Sequence, residues 1–219
     1  MFGNNKPVPF ENYYNGSLDI VKIFKTIQGE GPYAGTPAIF IRLGGCNLKC
    51  KFCDTEFDNY KNLSINTIIN KVKVLAQDKI GLIVITGGEP LRQDIKELCD
   101  ILIDENFQVQ IETNASLYRD INKAVTIIAS PKNANGNGYK FINEKMIKRA
   151  DYFKFIISAS NPNYNFVPDQ FHKFNNIYIQ PMDEYKKDLN SENMKLCIDL
   201  SLQYNFKISI QTHKILNIE

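Results

Sequence analysis

Cys46, Cys50 and Cys53 fall within eight consecutive positions, in the run GCNLKCKFCDT at 45–55. Thiolates are ligands for iron, zinc and other soft or borderline metals. A Cys-x3-Cys-x2-Cys loop supplies three of them, enough to grip three corners of a cubane cluster. Iron–sulfur clusters are usually held by four cysteines, and a structural zinc ion takes four closed ligands. A tight set of three with no fourth nearby therefore points to a [4Fe–4S] cluster whose last iron is left open for a ligand. Two blander arrangements use the same residues: a zinc site borrowing His172 or His213, or three unrelated buried cysteines. Asp54 and Thr55 follow directly and are oxygen donors of the kind a hard cation prefers.

The other two cysteines, Cys99 and Cys197, stand alone. Cys99 lies among Leu98, Ile101 and Leu102 in a helical pattern, and both read as small buried hydrophobes. An odd count of five, with three crowded together, does not describe a disulfide framework.

The elements that must position this loop are legible from hydrophobic pattern. AIFIRL (38–43) is apolar and β-rich and reads as a buried strand. Ser64 to Gln77 carries Ile65, Ile68, Ile69, Val72 and Leu75 at helical spacing, with Ser64 as N-cap. Strand and helix then alternate: GLIVIT (81–86) with a helix near Arg92–Asn106, QVQIET (108–113) with a loop and a short helix, TIIAS (126–130) with a helix around 142–150. YFKFII (152–157), NIYIQ (176–180), a helix at 190–204 and FKISI (206–210) complete the series. This alternation predicts an α/β fold, a partial (β/α) barrel of about six mostly parallel strands.

In such folds ligands bind at the C-terminal ends of the strands. The polar motifs fall where that rule asks: Gly44–Cys46, Gly87–Pro90, Glu112–Asn114, Ser130–Lys132 and Gln180–Asp183 each follow a strand. The run NANGNG (133–138) cannot bury apolar area, and 133–141 reads as an exposed, variable loop.

The bulk composition fits one domain over 1–219, with an N-terminal extension and ligand loop over 1–36. At 219 residues, 43% hydrophobic and 23% charged, the chain can bury a full core. The net charge of +2 is the small difference between 26 basic and 24 acidic side chains, scattered along the chain, so no basic face for nucleic acid or anionic lipid is expected. No stretch approaches the roughly 20 apolar residues that span a bilayer, and Met1–Tyr14 lacks the apolar core of a signal peptide. A cytoplasmic protein acting on a small molecule is the expectation.

The cysteine run, with Phe52 before its third cysteine, resembles the motif of the radical S-adenosylmethionine superfamily, and TGGEP (86–90) resembles its second signature. The resemblance narrows further. FKTIQGEGPYAGTPAIFIRLGGCN, the CDT after the cluster, ETN (112–114), SPK (130–132), QPMD (180–183) and QTHK (211–214) are similar, in order, to motifs of the 7-carboxy-7-deazaguanine synthases. A rival within the superfamily, a glycyl-radical activating enzyme, requires neither the TIQGEG loop nor the CDT.

The resemblance implies a lyase of 7-deazapurine (queuosine) biosynthesis. Its reaction is the ring contraction of 6-carboxy-5,6,7,8-tetrahydropterin to 7-carboxy-7-deazaguanine with loss of ammonia. The hydrogen-abstracting radical derives from S-adenosylmethionine and a [4Fe–4S] cluster, with Mg²⁺ assisting, so no catalytic residue beyond that radical is expected. It also implies a homodimer and a flavodoxin or ferredoxin as electron donor.

Residue roles carry over by position. Cys46, Cys50 and Cys53 would hold the cluster and Thr55 the Mg²⁺. Phe52, Cys53, Asp54, Gly88, Glu112, Ser130, Pro131, Lys132, Gln180, Pro181, Met182 and Asp183 would surround S-adenosylmethionine. Ile27, Gln28, Gly29, Glu30, Arg42, Thr86, His213 and the terminal Glu219 would meet the pterin. Taken alone, most of these have ordinary roles: SPK and QPMD as proline loops, Thr55 as a turn former, Glu112 as a solvated strand end, His213 as a structural histidine. GGE alone would be an ordinary turn, and Arg42 an ion-pair partner.

Overall fold

Short runs of Ile, Val and Phe become strands covered by helices because only burial against helices removes such continuous apolar surface from water. The computed structural model describes residues 6–133, 139 and 142–218. Its strands are β1 (Ser17–Ile27), β2 (Pro37–Leu43), β3 (Lys61–Ser64), β4 (Leu82–Gly87), β5 (Gln108–Thr113), β6 (Thr126–Ala129), β7 (Tyr152–Ile157), β8 (Ile177–Pro181) and β9 (Lys207–Ile208). The helices are α1 (Ile65–Ala76), α2 (Lys96–Asp104), α3 (Glu144–Arg149), α4 (Lys187–Tyr204) and α5 (Thr212–Leu216).

The strands form one sheet in the order β3-β1-β2-β4-β5-β6-β7-β8-β9. From β2 to β9 every pairing is parallel, so seven strands, against the expected six, share one direction. The last is a two-residue strand. β1 pairs antiparallel with both β2 and β3. The order ends at β3 and β9 without closing, which makes the sheet a partial barrel.

The two faces of this sheet differ. Ile39, Ile41 and Leu43 of β2, Ile83 and Ile85 of β4, Val109 and Ile111 of β5, and Phe153, Phe155 and Ile157 of β7 join the helices in one large apolar core. α1 contributes Ile68, Ile69 and Val72, and α2 contributes Leu98, Cys99 and Leu102. Alternate residues point inward. Ala38, Leu82 and Val84, packed with Tyr33 and Phe40, form a small apolar floor inside the barrel. Toward the C-terminal ends the inward residues turn polar: Arg42, Thr86, Glu112, Lys154 and Gln180.

Capping follows local chemistry. The Ser64 hydroxyl accepts a hydrogen bond from Thr67 N at 3.3 Å and starts α1 as expected. The short helix expected after β5 does not form. Leu117 and Tyr118 instead pack on the core, and Arg119 bonds the carbonyls of Leu91 and Arg92. Much of 133–141 lies outside the described residues, but Asn133 and Tyr139 are buried.

Candidate active site

The site begins where β2 ends. Leu43 lies opposite Gly87 in the parallel register, so the cysteine loop after β2 and the GGE turn after β4 leave the sheet side by side. Gly88 N donates to Leu43 O at 3.0 Å and Glu89 N donates to Gly45 O at 2.9 Å. The packing leaves no room for side chains. A Cβ on Gly88 would sit 1.9 Å from Gly45 O, and one on Gly87, whose φ is +123°, 2.2 Å from Leu43 O. These glycines are thus required first by the protein's own backbone.

Below this junction Arg92 is buried, bonding Gly44 O at 3.1 Å and pairing with Glu11 and Asp19. The N-terminal segment completes the support, with Val8 N donating to Cys46 O at 2.7 Å. The buried Glu89 carboxylate accepts from Thr113 Oγ1 and Asn114 N, each at 2.7 Å, and ties the turn to the end of β5.

Cys46, Cys50 and Cys53 line a single cavity of about 510 Å³. That volume is within the range of small-molecule sites. Burial pushes the Cys46 thiol up to about 12, with the Glu89 carboxylate adding to it. Burial raises Cys50 and Cys53 as well, while Lys132 pulls both back. One buried and two partly buried thiolates are disfavoured together without a cationic metal, the demand an iron–sulfur cluster would meet.

Among the described residues no three His, Cys, Asp or Glu side chains gather closely enough for a single ion. His172 is elsewhere, with Nε2 at 3.0 Å from Val167 O and its ring against Tyr204 and Phe206. Cys99 and Cys197 are buried in the core, as expected.

The same cavity is lined by Ile27, Gln28, Gly29, Glu30, Arg42, Thr86 and His213. Phe52, Asp54, Thr55, Gly88, Glu112, Ser130, Lys132, Gln180, Pro181, Met182 and Asp183 line it as well. Of the described residues expected at the site, Pro131 alone is absent from the lining; it is buried. Glu219 lies outside the described residues. His213 packs on the ligand loop so closely that a Cβ on Gly29 would meet its Nδ1 at 2.1 Å. Thr212 N and Oγ1 both reach Gly29 O at 3.1 Å.

Sequence reading missed Lys154, whose ammonium joins Glu30 and Glu112. Burial alone would push the Glu30 carboxyl up, but Lys154, with Gln211 and His213, holds it down at about 2. Burial would likewise lower the Lys154 pKa, and the two carboxylates reverse this and raise it. A signal was present: a lysine inside the strand YFKFII, otherwise apolar and expected to be buried on both faces, has to find an anion. Lys214, also unassigned, bonds Asp183 at 2.8 Å and lies 3.8 Å from Asp54, bridging the cluster loop and the QPMD loop.

Comparison with known proteins places this geometry. The Radical SAM superfamily profile matches residues 40–162. The 7-carboxy-7-deazaguanine synthase of Rickettsia prowazekii (strain Madrid E) is 46% identical over all of this chain and 96% of that protein. The enzyme of that name from Rhodospirillum rubrum is 29% identical over the whole of both chains. The crystal structure of QueE from Escherichia coli superposes with a TM-score of 0.77 at 26% identity, covering 90% of this chain and 95% of that one. With the cysteine loop, the GGE turn and the ligand loop meeting in one cavity, this chain belongs to the 7-carboxy-7-deazaguanine synthase family of the radical SAM superfamily.

Proposed function

We propose that this chain converts 6-carboxy-5,6,7,8-tetrahydropterin to 7-carboxy-7-deazaguanine with loss of ammonia. The observation that carries the reading is that the three thiols and the TIQGEG-loop residues line the same cavity, so a cluster held by those thiols would share one space with a polar ligand loop. When bound, the cluster and S-adenosylmethionine supply the radical that removes a hydrogen from the pterin.

The protein's own part is orientation. Arg42 presents a planar guanidinium suited to a carboxylate. Glu30, held ionised by its partners, puts negative charge beside the pterin's N–H groups, and the Gln28 side-chain Oε1 accepts from Glu30 N at 3.1 Å, which fixes the loop. Lys132 bonds both the hydroxyl and the carbonyl of Ser130 at 2.6 Å, a fixed cation on the wall assigned to the S-adenosylmethionine carboxylate. Phe52, edge-on to Tyr164 at 5.1 Å, is held beside Cys53 on the adenine side. Thr55, in the cavity wall, would offer Mg²⁺ a hard oxygen donor, with the substrate carboxylate and water supplying others.

No helix among the described residues is long and apolar enough to cross a membrane. A cytoplasmic homodimer reduced by a flavodoxin or ferredoxin completes the proposal. Anaerobic incubation of reconstituted protein with the carboxypterin, S-adenosylmethionine, Mg²⁺ and a reductant should yield the deazaguanine acid. An intact cluster with no product overturns the reading.

A further inference from the structure

Glu30 and Glu112 come from different parts of the chain, the loop after β1 and the end of β5, yet share one cation. Lys154 Nζ, on β7, contacts Glu30 Oε2 and lies 2.8 Å from Glu112 Oε2. The lysine side chain is 5% exposed. The remaining oxygens are also engaged. Glu30 Oε1 accepts from Gln211 Nε2 at 2.8 Å and Gln180 Nε2 at 3.2 Å. Glu112 Oε1 accepts from Gln110 Nε2 at 2.9 Å and Gln28 Nε2 at 3.0 Å. Because Gln28 Oε1 takes the Glu30 backbone N–H, the bonds close a ring: Glu30, Gln28, Glu112, Lys154 and back to Glu30.

We infer that Lys154 is a positioning residue for the proposed reaction: its ammonium ties Glu30, on the pterin loop, to Glu112, on the S-adenosylmethionine wall, so that the two ligand walls are one electrostatic unit. The inference rests on the functional reading above and adds a residue to it. Lys154 is the ring's only cation, and every other member is an amide or a carboxylate. Without it two carboxylates, only 15% and 16% exposed, are left close together with no cation between them, a proton is taken up, and Glu30 loses its charge and its anchor. The other charged groups facing the pair are His213, which favours the Glu30 carboxylate, Lys132, which is coupled to both carboxylates and to Lys154, and Arg42 across the cavity.

The test uses reconstituted holoenzyme, with wild type alongside. Lys154→Met is expected to lower kcat/KM on the order of 100-fold. It should also raise KM for the carboxypterin and create an acid limb, with kcat/KM rising as pH increases through about 6 to 8. Lys154→Arg keeps the charge and should show no such limb, even at reduced rate. Calorimetric binding of the carboxypterin to unreduced holoenzyme should weaken about tenfold at the acid end in Lys154→Met and recover at the alkaline end.

Should Lys154→Met not fold, the pair Glu112→Gln and Glu112→Gln/Lys154→Met decides. The limb is expected in the double variant, where Glu30 is buried alone, and not in the single one. A cluster-loaded Lys154→Met or double variant with a wild-type pH profile and wild-type pterin affinity overturns the inference, as does an acid limb in Lys154→Arg. A wild type that makes no product overturns the functional reading instead.

Discussion

The outer and inner faces of the sheet use neighbouring residues of the same strands for opposite ends. In β7, Phe153 and Phe155 pack outward into the helical core while Lys154 between them points inward to two carboxylates. In β5, Val109 and Ile111 are buried outward while Glu112 enters the inner hydrogen-bonded ring and Gln110 supports it with a hydrogen bond to Glu112 Oε1. The outer face removes apolar area from water, about 1.5–3 kcal/mol for each fully buried Ile or Phe. The inner face gains little net stability from its buried charges. What it holds is geometry.

This contrast predicts that inward changes are read in turnover and outward ones in unfolding. The largest expected effect is Cys50→Ala: no product, with cluster content lost on iron analysis and the thermal midpoint of the metal-free protein close to wild type. Next comes Phe155→Ala, which removes a ring 5.0 Å from Phe171 and 5.6 Å from Tyr139. It should cost about 3–5 kcal/mol in denaturant unfolding, while the folded fraction keeps the wild-type KM for the pterin.

Thr55→Ala should be milder, about a tenfold fall in kcat/KM, with the Mg²⁺ concentration needed for half-maximal rate raised and unfolding unchanged. The smallest effect belongs to Ser64→Ala on the outer rim. Loss of the cap to Thr67 N should cost about 0.5–1 kcal/mol, with kcat unaltered. A Phe155→Ala protein with altered KM, or a Thr55→Ala protein destabilised as much as Phe155→Ala, breaks the division.

Outward-facing features were legible because burial writes itself into local composition. AIFIRL, QVQIET and YFKFII gave β2, β5 and β7 within a residue of their ends, and Ser64 marked the start of α1. β1 was not legible. Its sequence SLDIVKIFKTI mixes charge into the apolar run, and a register shift between Ile20 and Lys22 interrupts its alternation. The thiols and the ligand loop were found because each motif is contiguous. The ring around Lys154 and the amides that surround it were not, because Gln28 and Glu30, Gln110 and Glu112, Lys154, Gln180 and Gln211 are five separate parts of the chain, Glu30 and Gln211 lying 181 positions apart, and they meet only on folding. The short helix expected after β5 is absent for a tertiary reason: Arg119 has three carbonyl partners, those of Leu91, Arg92 and Glu11, on other segments.

The contact of Gly88 with the Gly45–Cys46 backbone has a consequence for anyone wishing to transplant this chemistry. The cysteine loop is not a detachable cassette, since half of its seat is the turn of a neighbouring strand more than thirty positions away. A recipient scaffold would have to import both β2 and β4 with their facing register intact, or the iron-binding segment would arrive without the surface that gives it shape.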